Sequence, residues 1–184
     1  MIRPRHILRT CFACAVLVWG VSSCKNPDPV RAVSRAPYFS LADYFSQEAT
    51  RLQQLNPAIV KTVAKNGEQE RKEIHVIDWQ KELALFIDAD INKPAWQNSY
   101  RADSTETSVT YKSIDPKLRT AEITVETQED GSIKHIHIVN KVSNMLYQTD
   151  EALDYYPDSL YRITKQQHVW VMGDSDYTVT GHWQ

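Results

Sequence analysis

His135-Ile136-His137 sets two imidazoles two residues apart in a run where polar and β-branched residues alternate. On a strand such residues share a face, about 6.6–6.8 Å apart. The Asp130-Gly131 pair just upstream reads as a hairpin turn, and a two-residue loop pairs Glu129 with Ser132. In that register Glu126 faces His135 and Thr124 faces His137. Two imidazoles and a carboxylate on one face are a set that can ligate a transition metal. The same register sends Ile123, Val125, Ile136 and Ile138 to the other face, so the histidine face is expected to be the solvated one, with no metal.

Other chemistry-bearing segments are weaker. Asp88-Ala89-Asp90-Ile91-Asn92 imitates the start of a calcium loop, but Lys93 stands where glycine must turn the chain and Ser99 where a bidentate glutamate is needed. Asp174-Ser175-Asp176 is ordinary turn chemistry. There is no Gly-x-Ser-x-Gly elbow. A glycosidase carboxylate pair leaves no local signature. No catalytic residue and no cofactor is therefore assigned, and the chain is not expected to be an enzyme. Aromatics are more suggestive. Tyr155-Tyr156-Pro157-Asp158 falls in an expected turn, where two adjacent tyrosines are hard to bury together, so both are expected at a contact surface.

The elements that must position these residues are legible in outline. Ser40-Leu41-Ala42-Asp43 resembles a capping box, Phe39 can staple onto Tyr44, and apolar residues follow at helical spacing until Asn56-Pro57. Asn66-Gly67 between two strand-like runs predicts a hairpin with Lys65 facing Glu68. Asp78 starts a second predicted helix that runs to about Asn92. From Thr107 onward strands are expected near 107–114, 118–128, 132–142, 145–150, 159–165, 167–173 and 176–183, with a turn at Gly173–Asp176 that pairs Met172 with Tyr177. The expected fold class is α+β: two N-terminal helices packed on one face of a curved, mostly antiparallel meander sheet.

The amino terminus carries a different kind of signal. Arg3, Arg5 and Arg9 precede a short apolar run from Cys11 to Trp19, too short to span a bilayer and built like a secretory leader. It ends in Val21-Ser22-Ser23-Cys24, which resembles the lipobox of bacterial lipoproteins. That resemblance implies cleavage before Cys24, lipidation of its thiol, and an exported chain held on the membrane, with Lys25 favouring the outer membrane. The expected organisation is a signal peptide over 1–23, a tether over 24–37 and a single domain over 38–184. Residues 25–37 hold three prolines and no periodicity, as a tether would.

Removal of residues 1–23 takes away three arginines and no acid, leaving 18 Lys+Arg against 23 Asp+Glu. That balance argues against nucleic acid as a partner. It also leaves no cysteine beyond Cys24, which excludes disulfides, thiol nucleophiles and cysteine zinc sites from the domain. The segment from Leu55 to Trp96 resembles uncharacterised lipoproteins of Gram-negative bacteria, which implies an envelope location and no particular activity. The expected role is a membrane-anchored binding or envelope-assembly module for a glycan, peptide or protein. The sequence nominates Tyr155, Tyr156, Glu126, His135 and His137 for contact. A small envelope hydrolase and a lipid carrier with an apolar cleft are the alternatives.

Overall fold

Ser40 accepts the Asp43 N–H on its side chain at 3.1 Å and starts helix α1, Leu41–Leu55. Phe39 packs on Tyr44 with ring centroids 5.7 Å apart, so the staple forms as well. The helix closes at Asn56 in the left-handed region (φ 45°), one residue before proline. The computed structural model describes residues 37–184; the leader, Cys24 and the tether up to Ala36 lie outside the described residues.

A second device holds the start of α1. Asp90 accepts the Ala42 N–H at 3.0 Å and the Asn92 N–H at 2.7 Å, while the Asn92 amide bonds the backbone of Tyr38 and Phe39. A carboxylate is favourable at a helix N-terminus. The calcium-like run therefore clamps α1.

Strands β1 (Ala58–Lys65) and β2 (Glu68–His75) form the expected hairpin with Lys65 opposite Glu68, and Asn66 and Gly67 both take positive φ. The second predicted helix is corrected: it is two short pieces, α2 (Trp79–Glu82) and α3 (Ala84–Asp88), separated at Leu83 (φ −95°, ψ 9°). Asp78 caps α2 as expected, through the Lys81 N–H.

Seven further strands follow: β3 (Tyr100–Ser104), β4 (Ser108–Ser113), β5 (Thr120–Thr127), β6 (Ile133–Ser143), β7 (Tyr147–Tyr156), β8 (Leu160–Val169) and β9 (Gly173–Trp183). All pair antiparallel in the order β2-β1-β9-β8-β7-β6-β5-β4-β3. The architecture is α+β and dominated by this sheet. The chain meanders from β3 to β9, and β1 then lies along β9, with Val63 opposite Val179.

Three strand expectations are corrected, and β3 is a strand that the sequence does not announce. β3 carries no apolar alternation, because it is an edge strand with only its first residue buried. β7 runs six residues beyond the expected 145–150 segment. The segments 159–165 and 167–173 merge into β8, and the turn is Trp170-Val171-Met172, with Val169 opposite Gly173. Gly173 makes that possible: at φ 83° it supplies the left-handed residue that closes a three-residue hairpin loop. Lys165, not Met172, faces Tyr177.

The β5–β6 loop also holds three residues, since the Gln128 N–H bonds the Ser132 carbonyl and displaces Glu129 from its expected partner. A bulge between Glu126 and Thr127 restores the register, so Ile123 still faces Ile138 and Glu126 still faces His135.

One core gathers Leu41, Phe45 and Leu52 of α1, Trp79, Leu83 and Phe86, and the inward row Ile123, Val125, Ile136, Ile138, Leu153, Tyr155 and Tyr161. Phe45 meets Tyr155 edge to face at 5.1 Å, and Trp79 stacks on Trp183 at 5.8 Å. Burial pushes the Tyr100 phenol up to about 12, and it raises Tyr155 and Tyr161 too, which also donate to Glu48 and Glu82. Above pH 10 the unfolded chain loses these three protons while the folded chain keeps them, so folding stability falls as pH rises, by up to about 4 kcal/mol per pH unit. Cooperative alkaline unfolding is expected, with tyrosinate absorbance from this trio rising together with loss of circular dichroism. Ionisation of all tyrosines before any unfolding would contradict the packing.

Candidate functional site

On the sheet face turned away from that core, β6 presents His135 and His137 and β7 presents Asp154. Alternation decides this: their neighbours Ile136, Ile138, Leu153 and Tyr155 point inward and are fully buried. The β6–β7 register pairs His137 with Asp154. Asp154 Oδ1 then lies 2.8 Å from His137 Nδ1 and 3.0 Å from His135 Nε2, so one carboxylate oxygen bridges both rings.

The surroundings hold the rings in place. Tyr156 stacks flat on His135, with centroids 4.1 Å apart and planes 5° from parallel. Glu126 Oε1 lies 3.8 Å from the other nitrogen of His135, Nδ1. The side chains of His135, Asp154 and His137 keep 13, 21 and 34 % of their surface, a shallow site that solvent still reaches. The hydrogen bond to Asp154 raises the His137 pKa above 6.5 against the opposing effect of burial, and Glu122 adds to the rise. The same bond holds the Asp154 carboxyl below 3.8. Arg162 is the cross-strand neighbour of Asp154 on β8.

Of the residues nominated from sequence, His135, His137, Glu126 and Tyr156 are gathered here. Tyr155 is not, and its nomination as a surface contact is corrected: it is fully buried, whereas Tyr156 keeps 37 % exposure. The two tyrosines lie on β7 instead of in a turn, and adjacent strand residues point to opposite faces. Asp154 is the residue that sequence reasoning missed. Its signal was the alternation Thr149, Glu151, Leu153, Tyr155, which extends β7 far enough to reach the histidines.

Other polar groups serve the core side. Glu48 takes the Tyr155 hydroxyl at 2.5 Å and both nitrogens of an Arg51 fork, and Glu82 takes Lys61 and the Tyr161 hydroxyl. A 580 Å³ depression is lined by Arg101, Asp103, Lys112, Ser113 and Ile114, and a 410 Å³ one includes Asp150, Gln166, His168, Asp174 and Asp176. Neither has the Leu, Ile and Phe lining that an acyl chain requires. The exposed apolar side chains Met145, Leu146, Trp170, Val171 and Met172 sit on two adjacent turns, joined by the Trp170 N–H on the Leu146 carbonyl.

No protein family, no curated protein and no solved structure matches this chain.

Proposed function

We propose that this chain is an exported lipoprotein, anchored through Cys24, that acts as a non-catalytic binding module in the bacterial envelope. In this reading the helices cover the inner face of the sheet and leave the outer face to a glycan or peptide. The observation that carries it is the convergence of His135, His137, Asp154, Glu126 and the half-exposed Tyr156 on that outer face. An aromatic plane beside hydrogen-bonding groups suits a sugar or an extended peptide better than an acyl chain. The apolar turns at Met145-Leu146 and Trp170–Met172 suit a protein held close to a bilayer, where tryptophan and aliphatic side chains favour the interface.

The anchor is tested by the intact mass of the detergent-extracted protein. A chain that begins at Cys24 and carries diacylglyceryl and acyl groups is expected; an unlipidated chain overturns the anchor. Binding is tested by titrating the protein with solubilised muropeptides, which carry both sugar and peptide, and following backbone and imidazole NMR signals. Shifts confined to β5–β7 around His135, His137 and Tyr156 are expected, with at least tenfold weaker binding in Tyr156→Ala. Shifts elsewhere, or none, overturn the binding face. Cleavage of the muropeptides, abolished in Asp154→Asn, would replace the binding module with the hydrolase.

A further inference from the structure

We infer that His135, His137 and Asp154 form a binding site for a divalent transition metal ion, of which Zn(II) is the fitting example. The inference rests on the reading of this sheet face as the binding face and names one ligand for it.

The donor set is chemically apt. Two imidazole nitrogens are borderline donors that, beside one carboxylate oxygen, favour Zn(II), Cu(II) and Ni(II) over Ca(II) and Mg(II), which prefer oxygen alone. The three ligand atoms already lie within 4.8 Å of one another, and Asp154 Oδ1 is 2.8 and 3.0 Å from the two nitrogens. In tetrahedral zinc sites, with bonds of about 2.0–2.1 Å, neighbouring donor atoms are roughly 3.3 Å apart. Opening the two hydrogen bonds slightly and turning the rings toward each other brings the set to that spacing. The ligands stand on two hydrogen-bonded strands, so the backbone that carries them is rigid.

A second observation points the same way. A metal-ligating histidine commonly donates its other ring N–H to a carboxylate, which fixes tautomer and orientation. Glu126 lies 3.8 Å from His135 Nδ1, on the side of the ring opposite Asp154, and Tyr156 stacks on the ring to hold its plane. His135 is thus hydrogen-bonded to Asp154 through Nε2 and stacked on Tyr156, with the Glu126 carboxylate near its Nδ1 but beyond hydrogen-bond length. Glu122 adds negative charge beside His137, while Arg162 opposite Asp154 and Lys134 beside Glu126 are the cations the ion must coexist with. Three protein ligands leave a coordination position for water or for an oxygen of the bound partner. The sequence supplied two of these ligands; the pairing of β7 with β6 supplies the third.

The test is equilibrium dialysis and calorimetry of the mature full-length chain in detergent, stripped with chelator and titrated with Zn(II), Mg(II) or Ca(II). One Zn(II) per chain is expected, with no saturable uptake of Mg(II) or Ca(II). His135→Ala and His137→Ala should each weaken Zn(II) binding at least a hundredfold, and Glu126→Gln should weaken it about tenfold, as loss of an outer-shell partner does. His168→Ala, a histidine beside Asp174 on another part of the sheet, should bind as the parent does. Circular dichroism in chelator separates a lost site from a lost fold. Co(II) added to the unmutated chain gives an independent readout, since nitrogen and oxygen ligation in a low-coordinate site produces visible absorption far more intense than the weak bands of aqueous Co(II). No stoichiometric Zn(II), or binding indifferent to both histidine variants, overturns the site. Muropeptide titration repeated in chelator keeps the two readings apart: shifts that survive there without any Zn(II) binding would leave the binding face standing and remove the metal.

Discussion

Gly181→Ala is expected to cost this protein about 3 kcal/mol of folding stability, at the upper end for overpacked cores, and to lower the Tm by about 6–12 °C. The reason is close approach. Gly181 pairs with Tyr161 across β8 and β9, and the Tyr161 ring lies over its Cα. A Cβ there would overlap the ring carbons Cε1 and Cζ and stand 2.6 Å from the hydroxyl oxygen. The ring has nowhere to go. Its hydroxyl donates to Glu82, Glu82 is held by Lys61 at 2.6 and 2.8 Å, and Trp183 closes the ring's flank at 5.9 Å. Urea melts check the prediction. Adding Tyr161→Leu to Gly181→Ala should recover part of the loss, because the two substitutions act on one contact and cannot be additive. A Gly181→Ala variant with parental stability would mean that the ring does not sit there.

The adjacent tyrosines should behave as opposites. Tyr155→Ala removes a fully buried ring that touches Tyr44, Phe45, Phe86 and Trp183, and about 3–5 kcal/mol of stability should go with it. It also leaves buried Glu48 with Arg51 as its remaining hydrogen-bond partner. Tyr155→Phe isolates that part of the effect: losing a hydrogen bond to a charged group should cost about 1.5–3 kcal/mol while the packing stays. Tyr156→Ala, one residue away, should shift stability by about 1 kcal/mol or less, since it removes only a half-exposed stack on His135. Equal losses at the two positions would contradict the outward and inward alternation of β7.

These two tyrosines also show how far local reading reaches. Pro157-Asp158 marked a turn correctly, for Asp158 takes a positive φ there, yet the turn begins only after Tyr156. Asp150, Glu151 and Asp154 look like loop residues when taken singly, and the expected strand stops at 150, six residues before its actual end. Each has its own setting in the sheet. Glu151 is buried against Arg119 and Asn140, Asp154 bridges two histidines, and Asp150 pairs with Lys141. The β5–β6 register came out right for a compensating reason, since a three-residue loop and a bulge displace the pairing in opposite senses. Only the alternation of apolar residues, which must keep Val125 and Ile136 on the same buried face, made that outcome insensitive to the loop.

What the sequence determined by itself is what acts over a few residues: the Ser40 cap and Phe39 staple, the Asn56-Pro57 stop, the Asn66-Gly67 hairpin, and the two faces of β5 and β6. Composition alone leaves no cysteine after Cys24. Tertiary structure decided the rest. It laid β1 along β9, turned Tyr155 inward onto Glu48, slid Tyr161 over Gly181, and brought Asp154 between His135 and His137. The physical reason is range. A cap or tight turn is closed by atoms within four residues, so its signal is written in adjacent letters. A cross-strand contact depends on the register of whole strands, which is settled by packing the complete inner face at once, and neither partner carries a local mark of the other.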